Sequence, residues 1–279
     1  MKHSEFHYKS LQEIQEDCER IKVDLNFSSD LSVFHRTVKI GKATAPNSIA
    51  CHPMEGCDGK PDGSPDELVF RRYKRFARGG AGLIWMEAVA VVPEGRASAK
   101  QLCIHKENVS EFHKLYKTII ENAHDEFGAE HTPLCIVQLT HSGRFSRPES
   151  KVAPIIACEN PYLNERHKSE NIAHTITDDE LEALEDRFVE AAVLVKEAGF
   201  DGVDVKACHR YLNSELLSAY TRKGRYGESF EGRTRLIRNV VDKIRARLGS
   251  DFIIASRLNV YDAIPYPYGF GVDHEDYTK

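Results

Sequence analysis

Apolar positions recur along this chain at two spacings, about 3.6 residues for helices and about 2 for strands. Leu11, Ile14, Cys18 and Ile21 fall on one face of a helix that opens at the capping box Ser10-x-x-Glu13. A hairpin-like stretch follows, with Val38 and Ile40 before Gly41 and the apolar run Ile49-Ala50-Cys51 after it. Ser64-Pro65-Asp66-Glu67 predicts the next helix start, with Ser64 capping and Pro65 in the first turn, and Gly79-Gly80 ends that helix. Phe112, Leu115, Ile119, Ile120 and Ala123 mark a helix stopped by Gly128. Thr177-x-x-Glu180 opens another, striped by Leu181, Leu184, Phe188, Ala191 and Val195. A last helix carries Leu236, Ile237, Val240, Val241, Ile244 and Leu248 and ends at Gly249. Short apolar runs between them predict five strands, near 48–52, 82–87, 133–139, 201–206 and 252–257, with loop beyond Arg257.

Strands alternating with helices predict an α/β protein with a parallel sheet. The helix-to-strand links are short and the strand-to-helix loops long, as in a (β/α)8 TIM barrel, where the chemistry sits on the loops after each strand. A doubly wound sheet is the competing fold, but its Gly-rich turn after the first strand is missing: Gly79-Gly80-Ala81-Gly82 precedes a strand. Five strands and four outer helices fall short of eight of each. The expectation is therefore a barrel truncated after about the fifth strand: one incomplete domain over 1–279 with an N-terminal helical extension.

Composition narrows the function classes. Of 279 residues, 41% are hydrophobic and 29% charged, ordinary for a soluble globular chain. A net charge of -5 offers phosphate backbones or anionic lipid nothing to hold, so neither nucleic acid nor membrane is expected as a partner. No apolar run approaches the roughly 20 residues of a membrane span, and the N-terminus lacks the apolar core of a secretion signal. Seven scattered cysteines without a C-x-x-C pair suit reduced thiols in the cytoplasm and give no zinc framework.

The polar residues at strand ends are the candidates for chemistry: Cys51-His52-Pro53-Met54-Glu55, Gln138 through Arg144, Lys206 through Tyr211, and Arg257-Leu258-Asn259. Each alone has a plainer reading as a loop-capping hydrogen bonder, and Arg257 could pair with Asp262. Cys208-His209 has no second ligand pair for a metal. As neighbours on a strand the two point to opposite faces, which argues against a thiol–imidazole couple.

Taken together the segments are more specific. QLTHSGR, DVKACHRYL and RYGESFEGRTR, with PME, GLIWMEA and VVPEGR, resemble in order and spacing the Old Yellow Enzyme / NADH:flavin oxidoreductase family, from about Val38 to the end. The resemblance implies an FMN-dependent oxidoreductase that passes hydride from NAD(P)H to an activated C=C bond of a small-molecule acceptor. Pro53, Met54, Ala88 and Gln138 match positions lining the flavin ring, and Arg257 matches the arginine at its N1–C2 edge. Tyr211 matches the proton donor, while Lys206 and His209 match the pair that grips the substrate oxygen.

This chain departs from the family pattern in several places. Lys206 stands where histidine is usual, Glu55 where a threonine or cysteine tunes the flavin, and Arg210 and Glu228 where glycines are usual. The FMN phosphate belongs to strands past the fifth, so a second chain completing the barrel, or a homo-oligomer, is expected as partner. Two readings stand beside this one: a non-catalytic barrel fragment or regulatory subunit without flavin, and a lyase using Lys206 as a Schiff base.

Overall fold

The computed structural model describes residues 6–167, 172–276 and 278; residues 1–5, part of the stretch read for a secretion signal, lie outside it. The chain divides into two compact units, Met1–His35 and Arg36–Lys279. In the first, α1 (Leu11–Ile21) starts where the capping box predicted: Ser10 accepts the Glu13 N–H, and the Glu13 carboxylate reaches back to the Lys9 N–H at 3.0 Å. No residue of α1 is buried. A single turn, α2 (Ser32–His35), follows.

The second unit opens with a hairpin of β1 (Val38–Ile40) and β2 (Ala43–Ala45). The return arm of the hairpin is Ala43–Ala45, where the sequence reading had set the run ending at Cys51 after the turn; that run gives β3 (Ala50–Cys51), the first of the five strands expected in the main sheet. The next helix, α3 (Glu67–Arg78), starts later than expected. Asp66 caps it by accepting the Glu67 N–H, while the Ser64 backbone is held in the preceding turn by Asp62 and Lys60. Then come β4 (Leu83–Ala90), α4 (Val109–Phe127) and β5 (Leu134–Thr140).

The segment from 141 to 176, read from sequence as unbroken loop, carries a small parallel ladder of β6 (Ile155–Ile156) and β7 (His174–Thr175), with α5 (Pro161–His167) between them. Next is α6 (Asp178–Glu197), whose Thr177–Glu180 capping box closes in both directions. After β8 (Gly202–Val205) come two short helices in the expected loop, α7 (Leu212–Leu217) and α8 (Phe230–Arg233), then α9 (Arg235–Leu248) and β9 (Ile253–Ala255).

All five strands of the main sheet are parallel and lie in chain order, β3-β4-β5-β8-β9. Alternation along the strands gives the sheet two unlike faces. Ile84, Met86 and Val89 of β4, Cys135, Val137 and Leu139 of β5, and Val203 and Val205 of β8 share one core with α3, α4, α6 and α9. Phe112, Leu115 and Ile119 of α4 and Phe188 of α6 are fully buried in that core. Each such side chain contributes about 1.5–3 kcal/mol. The four long helices thus cover a single face, whereas a doubly wound sheet needs helices on both. Trp85, Ala88, Gln138, Asp204 and Lys206 belong to the other face, and that face carries the polar residues.

Candidate functional site

The polar face of the main sheet is organised by a carboxylate that sequence reading passed over. Asp204, fully buried on β8, accepts from Gln138 Nε2 at 2.5 Å, Trp85 Nε1 at 3.0 Å and the backbone N–H of Arg257 at 2.9 Å. Burial lifts its carboxyl above the ordinary range, against the pull of those donors. Gln138 and Arg257 are thereby tied to one point. The β8–β9 ladder continues past the strands through Ala207 and Leu258, so Arg257 and Asn259 are carried alongside residues 207–209.

Two residues above Asp204, the buried Lys206 ammonium meets Glu55. Its Nζ lies 2.6 Å from Glu55 Oε1, with the side chains 1% and 20% exposed respectively. The second carboxylate oxygen of Glu55 accepts from the Tyr211 hydroxyl at 3.1 Å, and Lys206 Nζ lies 4.0 Å from the centre of the Tyr211 ring, in cation–π range. Burial, followed by the Glu55 charge, pushes the Tyr211 phenol well above its usual value, so it stays protonated. Two of the three groups that the resemblance assigns to the substrate, Lys206 and Tyr211, are therefore held on Glu55. A Schiff-base lysine must present its nitrogen to a carbonyl carbon, whereas this Nζ is engaged by Glu55 and packed over the Tyr211 ring, so the geometry speaks against the lyase reading.

The turn between Lys206 and Tyr211 is unusual in its backbone. His209 and Arg210 have φ of 62° and 55°, in the left-handed region that favours glycine. Tertiary bonds hold them there: the His209 N–H donates to Asn259 Oδ1 at 3.3 Å, and an Arg210 guanidinium nitrogen donates to the Asp262 carbonyl at 2.5 Å. The His209 ring stands edge-on to Tyr211 with centroids 6.2 Å apart. Burial and the nearby Lys206 and Arg257 charges hold His209 below the ordinary histidine value, so it is neutral. The Asp262 carboxylate accepts from Asn259 Nδ2 and the Phe270 N–H. Arg257 instead donates to the Pro53 carbonyl at 3.2 Å.

That bond docks the loop after β3, which is clamped from its other side by Glu87. Glu87 sits where the β4–β5 register slips between Met86 and Ala88, a bulge that adds one residue just ahead of Ala88. Its carboxylate accepts from the Gly56 N–H at 2.9 Å and from Arg72 at 2.6 Å, and Arg72 also pairs with Asp58. A Cβ on Gly56 would fall 2.1 Å from the Arg72 guanidinium, so a larger residue there would have to push Arg72 away from Glu87 and Asp58. Pro53 and Ala88 are buried, while Met54 is 66% exposed.

Of the residues singled out by sequence, Lys206 and Tyr211 touch, His209 stands beside them, and Gln138, Arg257 and Pro53 are linked through Asp204 and Arg257. Missed from sequence were Asp204, Glu87 and the pairing role of Glu55. The signal was legible for the first two: each is a lone carboxylate inside an apolar strand, Gly-Val-Asp-Val and Ile-Trp-Met-Glu-Ala, and a charge buried there needs partners. Among the described residues no cluster of three or more His, Cys, Asp or Glu is placed to hold a metal ion.

Similar proteins share this arrangement of strands. The structure matches that of a 2-naphthoyl-CoA reductase bound to 2-naphthoyl-CoA, with a TM-score of 0.73 and 21% identity over 88% of this chain and 37% of the other. It also matches the Old Yellow Enzyme from Pichia sp. (0.71, 21%, 83% and 61%) and the Old Yellow Enzyme homologue from Zymomonas mobilis (0.70, 24%, 88% and 68%). In sequence it is 30% identical over 229 residues to an NADH oxidase of Thermoanaerobacter brockii, covering 79% of this chain and 33% of that protein. The chain thus spans about a third of the length of this relative. The model of one family matches residues 34–271, nearly the whole second unit, and on that match the chain belongs to the NADH:flavin oxidoreductase / NADH oxidase family.

Proposed function

We propose that this chain forms the ring-binding and proton-donating part of an FMN-dependent oxidoreductase that reduces an activated C=C bond with electrons from NAD(P)H. The observation that carries the reading is the Tyr211 hydroxyl. It is kept protonated and positioned beside Lys206, on the same strand-end surface that fixes Gln138 and Arg257. The five parallel strands, with helices on one face, are built as the arc of a (β/α)8 barrel, and its active face is the one these residues occupy.

The residues suit a flavin. Arg257 donates one guanidinium N–H to Pro53 and keeps further donors and a permanent charge for the N1–C2 edge of the ring. Gln138 lies beside it on β5. Thr140, two residues further along the same face, has a buried hydroxyl without a protein partner, as does the side-chain oxygen of Asn213 near Lys206. The buried Ala88 leaves room for a flat ring, and Pro53 and Met54 border it. Bound FMN would supply the two-electron chemistry, taking hydride from NAD(P)H and delivering it to the β-carbon of the acceptor.

The chain's own residues complete the reduction. His209, neutral, donates an N–H to the acceptor's carbonyl oxygen together with Lys206, drawing electrons from the double bond. Tyr211 releases its hydrogen bond to Glu55 and gives its proton to the α-carbon, and the phenolate is reprotonated from water. Lys206 beneath the ring stabilises the transient phenolate. Seven free thiols, with no helix among the described residues long and apolar enough to cross a membrane, support a cytoplasmic setting.

The test is spectroscopic. Assembled with the partner that completes its barrel, the protein is expected to be yellow, to release FMN on denaturation, and to oxidise NAD(P)H with an enone as acceptor. A colourless protein that takes up no FMN in a fluorescence titration would overturn the reading.

A further inference from the structure

Beside Tyr211, away from the sheet, a cavity of about 200 Å³ is lined by Phe145, Arg166, His209, Arg210 and Asn259. Its walls come from the loop after β5, from α5, and from the loops after β8 and β9, all at strand-end positions. The volume is below that of a whole-ligand pocket, roughly 300–1,000 Å³, and suits one terminal group of a larger molecule. Among the described residues, two guanidiniums, an imidazole and an amide face it, and no carboxylate does.

Those guanidiniums differ from the arginines held in ion pairs, and Arg210 is held as Arg96 and Arg257 are, by carbonyls alone. Arg72, Arg144, Arg222 and Arg225 each pair with an aspartate or glutamate. Arg210 instead donates to a neutral carbonyl, that of Asp262, which fixes its direction without neutralising its charge. Arg166 has no hydrogen-bond or ion-pair partner among the described residues. In a chain of net charge -5, two guanidiniums that pair with no carboxylate among the described residues line one small cavity and can take an anion there. The strained φ of 55° at Arg210 is part of the same construction, because it turns this side chain toward Asp262 and the cavity.

We propose that Arg166 and Arg210 form a subsite for a carboxylate or phosphate group on the acceptor, at the far end of the molecule from its reducible bond. The ring of Phe145, 5.5 Å from that of Tyr211, provides an apolar surface for the part between. The proposal rests on the flavin-dependent reading for the reaction at Tyr211, but the anion subsite itself does not need the flavin. Guanidinium forks bind carboxylate and phosphate alike, so the structure assigns their shared chemistry: an anionic oxygen pair or triad.

Calorimetric titration of the purified protein with three non-reducible probes separates the outcomes: hydrocinnamate, phenyl phosphate and the neutral hydrocinnamamide. At least one anion is expected to bind about tenfold or more tightly than the amide, as a charge-assisted hydrogen bond gives. Added sodium chloride should weaken the anion and leave the amide unchanged. Preference for hydrocinnamate assigns a carboxylic acid acceptor, and preference for phenyl phosphate a phosphate-bearing one. Arg166→Gln, at an exposed position that does not endanger folding, and Arg210→Gln should each reduce anion affinity about tenfold without touching the amide. Equal binding of all three probes, or anion binding unchanged in both variants, overturns the subsite. A colourless protein that still prefers the anions would remove the flavin reading and leave the subsite standing.

Discussion

The loops after β5 and β8 use nearly the same residue types and finish differently. Each offers a buried cation, a histidine and a carboxylate supplied from elsewhere in the chain. After β5, Arg144 is enclosed with Glu215, both side chains at most 1% exposed. Its guanidinium also donates to Asn164 and to the Cys158 carbonyl, while Glu215 also accepts the Ala157 N–H. His141 is buried there too, its Nδ1 accepting the Gly143 N–H at 3.0 Å. After β8, Lys206 is just as buried, but its partner Glu55 is shared with Tyr211 and touches solvent, and His209 is only partly covered. Saturating every donor makes a clamp that joins β6, α5 and α7. Leaving a shared carboxylate and a protonated phenol at a cavity mouth makes a place where a proton can move. Burial alone does not mark function; incomplete commitment of buried donors does.

Substitutions test that contrast, and the largest effect belongs to the open loop. Tyr211→Phe should slow acceptor reduction about 10²- to 10⁴-fold, with flavin reduction by NAD(P)H nearly unchanged. Stopped-flow absorbance of the two half-reactions checks this, and equal slowing of both would remove the proton-donor role. Next comes stability. Glu215→Ala leaves Arg144 charged and enclosed and should lower unfolding free energy by about 3–5 kcal/mol in a denaturant titration. Glu55→Ala should cost clearly less, since water can reach the vacated side of Lys206. Equal losses would show that the two pairs do the same job.

The histidines give a pH test of the same contrast. Burial holds His141 down to about 4, below its unfolded value near ~6.5. A folded-state value below the unfolded one means stability is fully present above about pH 6.5. It is then lost as pH falls toward 4, at up to about 1.4 kcal/mol per unit. Melting temperatures across that window should fall for the native chain and flatten for His141→Gln. An unchanged slope would place the acid sensitivity elsewhere. The smallest effect is at Glu228, held at φ 59° with an exposed Lys223 partner. Glu228→Gly should raise stability by about 0.5–1 kcal/mol, because relief of the left-handed backbone exceeds the lost surface pair. A lower melting temperature would contradict that.

Sequence legibility followed the same division. The parallel strands and the four long helices were readable because each obeys a local period and a local stop signal. The errors lay where tertiary bonds decide. Asp66 and not Ser64 caps α3 because the turn ahead of it engages Ser64. The short elements β6, α5 and β7 have no periodicity of their own and form around the Arg144–Glu215 clamp. At the site, motif order singled out Lys206, His209, Tyr211, Gln138 and Arg257, which the structure brings to neighbouring strand ends. The partners Asp204 and Glu87 went unnoticed, although a charge inside an apolar strand pointed to them.

What the sequence determined by itself was the order and direction of the elements, and which residues sit at strand ends. Hydrophobic alternation and capping are local, and a right-handed strand–helix–strand crossover leaves little choice of topology. Only the tertiary structure decided how the charges pair. Lys206 reaches Glu55 across 151 positions of chain, and Arg257 reaches the Pro53 carbonyl across 204. No spacing rule spans such separations. They are fixed by sheet register, by a bulge at Glu87, and by the cost of leaving a buried charge without a partner.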